Sequence, residues 1–329
     1  MSPGDRLGEL IAGGDLDDLL VHVDHLCQEA DWEGLVELRD RSRAAHERGH
    51  QLWPVASHAE YRLALEAPGP WAGAVLRPGA GRFALGPLAE VAAQSHAWSE
   101  LAPHLPHTPE ATFAAHERVV RGEDLSGDRR VDAAVLETPL RLELWESDYP
   151  VAVYGAHEAQ FPERPLPRLA PVELPPAAPT VDDTEACAAL LELVAPWTTE
   201  SNGRARAVAV AGSAEAAVAA LAGRQQAGLA PLRMADALVT MAWAGGSGGA
   251  HGRRRGMAVG RFGAWWALAA LTTGLDRWPP DPDELGEAGG RLRWLHWGGQ
   301  TWAGGWALRL AVEDPARGRA WAVEATDRV

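Results

Sequence analysis

The sequence predicts an α+β protein in two parts. A mainly helical domain covers residues 1–161, and a second domain over residues 181–329 packs helices on a mostly antiparallel sheet. Three observations predict this. Apolar residues recur at helical spacing through much of the first 121 residues. Seven prolines lie between Pro162 and Pro179, a density that no helix or central strand survives, so residues 162–180 form a Pro-rich linker or a strap over the surface. After Arg291 come three strand-like runs, the last two joined by a good hairpin turn. The length of 329 residues suits two domains, at roughly 100–200 residues each.

Residues 16–47 read as two helices. Leu16, Leu19, Leu20, Val23, Leu26, Cys27 and Ala30 make an apolar face on the first, with Asp15 as N-cap and acidic residues favouring the dipole of its first turn. Leu35, Val36 and Leu38 carry the apolar side of the second, and Trp53-Pro54 breaks it. Further helices are expected over Val55–Ala67, Pro87–Trp98 and Pro109–Arg121, with turns at Gly79–Gly81 and Leu105–His107. Helices joined by short turns make a HEAT-like array of helical pairs one candidate, although no clean period is visible. Leu140, Leu142 and Leu144 alternate with Arg141, Glu143 and Trp145, and with Val151–Tyr154 they could form a short hairpin.

In the second domain Asp182 or Asp183 could cap a helix running to Val194. Arg204–Ala211 alternates like a strand, Ser213 can cap a helix over Ala214–Leu221, and Pro231–Trp243 reads as another helix. A long helix follows the glycines and reaches about Thr273, ahead of Pro279, Pro280 and Pro282. The strands are expected over Arg291–Trp297, Trp306–Val312 and Arg319–Ala325, with Glu313–Gly318 as the last turn. The expected packing puts the helices on one face of the sheet.

Composition excludes some chemistry. There is no lysine, so a GxxxxGK[ST] phosphate loop, a Schiff-base lysine and a kinase strand lysine are all ruled out. The net charge of −15 is uneven: residues 1–181 carry −14 and residues 182–329 carry −1. An acidic half argues against wrapping nucleic acid, whose binding needs cations against phosphate. Cys27 and Cys187 both sit in apolar helical patterns and read as reduced core thiols of a cytoplasmic protein. MSPGDRLGEL shows neither a basic n-region nor an apolar h-region. Met257–Leu275 is largely apolar, but it carries Arg261 and several glycines, so a buried helix is expected there and no membrane association.

Gly245–Trp266, GGSGGAHGRRRGMAVGRFGAWW, is the densest signal, with seven glycines and four arginines within Gly245–Arg261. On a helix over Gly252–Ala270, Gly252, Gly256, Gly260 and Ala264 form one small-residue stripe that lets a neighbouring backbone approach. Arg253, Arg254 and Arg255 then crowd the positive end of the helix dipole, and a negative counterpart is required. Two arrangements supply one. Gly248, Gly249 and Gly252, with Arg253–Arg255 and Arg261, could hold a phosphate, nucleotide or carboxylate. Alternatively the arginines pair with acidic residues of the N-terminal half and dock the two domains. The stretch MAWAGGSGGAHGRRRGMAVGRFGAWW (residues 241–266) resembles a segment of an uncharacterised family of proteins from GC-rich bacteria, which has no assigned activity, so the resemblance implies no function.

Catalytic patterns are sparse. His46-Glu47-Arg48-Gly49-His50 spells HExxH, in which His46 and His50 would bind zinc, Glu47 would act as general base, and His58 or Glu60 would complete the set. Arg39–Arg43 before it reads as a solvated face, unlike a zincin helix. Gly245–Gly249 spells GxSxG with Ser247 as nucleophile, and Asp283 and His296 follow in order; that motif needs a preceding strand. Asp18, His22, His25 and Glu29 share one face of the first helix, as ligands or simply as a polar outer face. Trp294, Trp297, Trp302, Trp306 and Trp321, beside Arg291, Arg293 and Arg309, are stacking platforms or core.

The preferred reading is a cytoplasmic, non-enzymatic binding or scaffold protein without a cofactor, bound to another protein through its acidic helical half. The alternatives are a hydrolase, using zinc at His46, Glu47 and His50 or using Ser247, and a sensor of a small anion or nucleotide at Arg253–Arg261.

Overall fold

A computed structural model describes residues 3–47, 51–132, 134–164, 166–298 and 305–328. The chain forms two compact units and passes between them more than once. Residues 1–118, 127–135 and 152–161 make the first; residues 119–126, 136–151 and 162–329 make the second. Among the described residues, fourteen α-helices, most of them in the first half, and a six-stranded antiparallel sheet in the second half make this an α+β protein.

The first unit is built from α1 (Pro3–Gly13), α2 (Leu16–Gln28), α3 (Trp32–Glu47), α4 (Trp53–Glu66), α5 (Gly69–Val75), α6 (Leu88–Ser95), α7 (Trp98–Leu101) and most of α8 (Pro109–Val120). Asp15 caps α2 by accepting the Asp17 and Asp18 N–H groups at 3.0 and 3.2 Å, and Leu19, Val23, Leu26 and Cys27 face inward. Trp53-Pro54 ends one helix and opens the next, because proline needs no N–H partner in a first turn. Helix α4 is central, and Val55, Ala59, Tyr61 and Leu63 are fully buried in it. The solvated face expected over Arg39–Arg43 is only partly so: Arg39 and Ser42 are buried, and Arg39 pairs with Asp40.

The expected hairpin takes different residues. Leu140–Trp145 forms no strand; β1 (Val153–Tyr154) pairs instead with β2 (Ala159–Gln160), in the register Tyr154↔Ala159. Tertiary hydrogen bonds fix this short hairpin: Gln94 donates to the Tyr154 carbonyl and accepts its N–H, and the Tyr154 hydroxyl donates to buried Glu90 at 2.6 Å.

The second unit holds β3 (Ala170–Glu173), α9 (Thr184–Glu192), α10 (Ala195–Thr199), β4 (Arg204–Ala211), α11 (Ala214–Ala222), β5 (Gln226–Leu232), α12 (Met234–Gly246), α13 (Met257–Leu271), α14 (Pro282–Gly290), β6 (Arg293–Gly298), β7 (Trp306–Asp314) and β8 (Arg319–Asp327). The strand order is β3-β5-β6-β7-β8-β4. Within the Pro-rich stretch, β3 is an edge strand, where Pro171 removes no central ladder bond. Strand β5 replaces the start of the helix expected from Pro231. Pro231 is tolerated because β3 pairs only with Gln226–Leu229, which leaves Pro231 with a partner strand on one side.

Alternation along the strands sorts two cores. Leu308, Leu310 and Val312 of β7, with Trp321 and Val323 of β8, pack with α9, α12 and α13. Ala311, Ala320 and Ala322 pack on the opposite face with α11. Helices therefore cover both faces, not one. Asp183 caps α9 and Ser213 caps α11, each accepting an N–H three residues on at 3.3 Å.

Helix α13 has 15 residues and is largely buried, and no described helix is long and apolar enough to cross a membrane.

Candidate functional site

Helix α13 starts at Met257, not at residue 252. Gly256 precedes it at φ +97, a conformation that side chains rarely adopt. Arg253–Arg255 therefore lie in the connection before the helix, and Arg261 is the one arginine of the cluster on it.

Five amides of that connection are bonded within the protein. Ala250 N–H donates to Asp327 Oδ2 at 2.6 Å, His251 N–H to Ser201 Oγ at 3.1 Å, and Arg253 N–H to Glu200 Oε2 at 3.3 Å. The Arg255 and Gly256 N–H groups both donate to the Gly246 carbonyl. The glycines serve close packing. Gly249 has φ +74, and a Cβ there would lie 2.3 Å from the Asp327 carboxylate. On Gly248 it would lie 2.2 Å from the Gly252 carbonyl, and on Gly252 2.3 Å from the Gly248 carbonyl. Gly248, Gly249 and Gly252 thus shape a closely packed loop.

The four arginines separate by role. Arg261 is 1% exposed and makes a two-point contact with Glu146, through Nε at 2.8 Å and Nη2 at 2.7 Å. Its remaining donors reach the Pro139 and Arg141 carbonyls, both at 2.8 Å. Glu146 also accepts from Tyr149, Trp265 and the Glu143 N–H. Burial opposes the Glu146 charge, but the Arg261 hydrogen bonds and charge outweigh it and hold the carboxyl below its ordinary range. Arg261 is thus paired with an acid from the N-terminal half, as one of the two arrangements requires, but inside a single compact unit and not between two. Neither Arg253 nor Arg254 is without a partner. Arg255 is exposed and has no ion pair among the described residues.

Arg255 stands at a groove of about 450 Å³ between α9 and α13. Val259, Phe262 and Trp266 fall at i, i+3 and i+7 on α13 and make an apolar wall, and Arg255, in the connection before the helix, adds a cation at the lining. The floor is small: Ala188, Ala189 and Gly263, where a Cβ would lie 3.3 Å from Leu193. The Phe262 and Trp266 rings stack at 6.2 Å, and Trp278 braces Trp266 edge-on at 4.9 Å. Trp278 is held by its indole N–H on Glu137 at 2.7 Å. Two carboxylates line the groove. Glu185 accepts the Leu275 N–H at 3.1 Å, and Glu192 stands exposed.

The other sequence candidates separate from this site. Ser247 follows a helix, α12, and no strand precedes it, so GxSxG does not form a nucleophile elbow. Its hydroxyl is buried, accepts from Trp197 Nε1 at 3.0 Å and donates to the Ala244 carbonyl at 3.0 Å. Ser247→Ala is expected to leave that indole N–H unsatisfied and to cost about 1–3 kcal/mol in a urea titration. His296 bonds the Arg309 carbonyl through Nδ1 at 2.9 Å, within the sheet. His50, and the side chains of His46 and Glu47, lie outside the described residues, as does Trp302. Trp294, Trp297 and Trp321 are core residues with their indole N–H groups bonded, and Trp306 stacks on Trp243 at 5.1 Å. Arg293 is taken by Glu215 and Glu313, and Arg309 by Glu324.

Sequence reading centred on the glycines and missed Val259, Phe262, Trp266 and Glu192. The signal for them lies in Val259, Phe262 and Trp266, which share one face of α13.

The chain belongs to a family of unknown function, DUF6183, whose family model matches residues 17–328. No curated protein and no solved structure matches it.

Proposed function

We propose that this member of the family is a non-enzymatic binding protein whose site is the groove between α9 and α13, and that its ligand is a small amphiphile with an anionic end. The carrying observation is Arg255: an exposed guanidinium with no ion pair among the described residues, at an aromatic-walled groove. A volume of about 450 Å³ falls within the range of roughly 300–1,000 Å³ usual for small-molecule sites. Phe262 and Trp266 offer flat apolar surface to the ligand body, and Arg255 offers paired donors to a carboxylate or phosphate. Glu192 repels a second negative charge, which favours a monoanion over a nucleotide polyphosphate. The anion reading thus moves from the loop amides to one side chain. A cytoplasmic setting is supported by the free thiols of Cys27 and Cys187, both pushed up to about 11, chiefly by burial. The −14 charge of residues 1–181 supports a basic protein surface as a partner of the acidic half.

The test is a thermal-shift and calorimetric panel of aromatic and aliphatic monocarboxylates, their uncharged amides, and nucleotides. Monocarboxylates are expected to raise the melting temperature. Arg255→Ala is expected to weaken them about tenfold or more, the scale of a charge-assisted hydrogen bond, and to leave the amides unchanged. Gly263→Leu, which fills the floor, is expected to abolish both. No response to any monocarboxylate, or equal binding by Arg255→Ala, overturns the reading.

A further inference from the structure

In the first unit, we propose that Asp24, His58 and His157 form a binding site for a divalent first-row transition metal ion of the zinc type. Each residue offers one ligand atom, and the three atoms lie within 4.8 Å of one another. They come from separate elements: Asp24 from α2, His58 from α4, and His157 from the turn between β1 and β2. His157 Nε2 is 3.1 Å from Asp24 Oδ2, and the two imidazoles stack with ring centres 5.5 Å apart.

A second observation points the same way. His58 Nε2 is buried and has no hydrogen-bond partner among the described residues. Buried polar atoms are nearly always satisfied, so an orphan beside a carboxylate and a second imidazole calls for a ligand. Arg62 donates to the other Asp24 oxygen and is itself clamped by Glu66, through Nε at 2.8 Å and Nη2 at 3.0 Å. That chain orients the carboxylate from behind, as outer partners of metal ligands do. Within the cluster Asp24 supplies the negative charge a cation needs, while the Arg62 guanidinium behind it is neutralised by Glu66.

Two imidazoles and one carboxylate suit zinc and its neighbours, whereas magnesium and calcium prefer all-oxygen sets. Zinc ligands at 2.0–2.1 Å in a tetrahedron stand roughly 3.3 Å apart, so the group must tighten on binding. His157, whose side chain is 59% exposed, supplies that movement. Three protein ligands leave a coordination position open. This is not the HExxH set: His58 appeared there as a third ligand, but it meets Asp24 and His157, while Glu60 is taken by Arg43 and the Gly81 N–H.

The test uses the full chain, stripped by a chelator and titrated with cobalt(II) by visible absorption and with zinc by calorimetry. One equivalent per chain is expected. His157→Ala, at an exposed turn that tolerates truncation, is expected to weaken zinc about tenfold or more, and Asp24→Asn likewise. His46→Ala with His50→Ala is expected to leave the affinity unchanged. Three results overturn the proposal: no binding by the wild type in excess metal, unchanged affinity in His157→Ala, or loss of the ion in the His46→Ala and His50→Ala variant. None of them bears on the groove in the second unit.

Discussion

Arg261→Ala is expected to destabilise the chain by about 3–5 kcal/mol, measured as a fall in the urea midpoint at unchanged slope. The side chain is 1% exposed, and its partner Glu146 is also buried. Removing the guanidinium strands a carboxylate that keeps only the Tyr149, Trp265 and Glu143 donors. It also strands the Pro139 and Arg141 carbonyls. The loss is the cost of an unpaired buried charge and exceeds the net worth of the pair. The double variant Arg261→Met with Glu146→Leu should therefore be more stable than Arg261→Ala. The pH dependence has a definite sign. The folded-state value of Glu146 lies below its ordinary 4.5, so its contribution is complete above that value and is lost as pH falls below it. The wild type is expected to lose more stability than the double variant between neutral pH and pH 4. Equal acid sensitivity would show that Glu146 is not held ionised by Arg261.

Gly260→Ala is expected to cost about 1–3 kcal/mol, or more where the helices cannot separate. A Cβ at this position would lie 2.0 Å from the Ala242 carbonyl oxygen and 2.9 Å from the Gly246 nitrogen, both backbone atoms of α12. A flexible side chain could swing away from it; a helix backbone cannot. Alanine's better helix propensity returns at most about 1 kcal/mol, so the steric term wins. Gly263→Ala, one turn on, is the control. Its Cβ would meet only the end of the Leu193 side chain at 3.3 Å, and it should be neutral or slightly stabilising. If both substitutions give the same melting temperature, α12 and α13 are not in the close contact described.

Local features of this fold were legible because local chemistry fixes them. The caps Asp15, Asp183 and Ser213 each accept an N–H from the next turn, so their position relative to an apolar run marked the helix starts. Strand β4 runs over Arg204–Ala211 as the alternation indicates, and β7 and β8 flank the EDPARG turn. Of the expected small-residue stripe, Gly260 on α13 does bring the α12 backbone close, whereas Gly252 and Gly256 lie before the helix. Three readings failed where sequence neighbours gave the wrong cue. Gly228 and Pro231 hid β5, whose place in the sheet depends on β6. The alternation of Leu140–Trp145 suggests a strand, but Leu144 is fully exposed and no strand among the described residues pairs with this segment. The arginines before Met257 looked helical until Gly256, at positive φ, set the helix start.

By itself the sequence determined the periodicity of its elements, their caps, the apolar faces that must be buried, and the chemistry closed to a chain without lysine. The tertiary structure alone decided which charges meet. Arg261 finds Glu146 across 115 positions, and Asp24, His58 and His157 converge from two helices and a turn. Periodicity is a property of neighbouring residues and repeats along the chain. An ion pair or a ligand set depends on where distant segments close, and its energy is realised only after burial has removed the water between them.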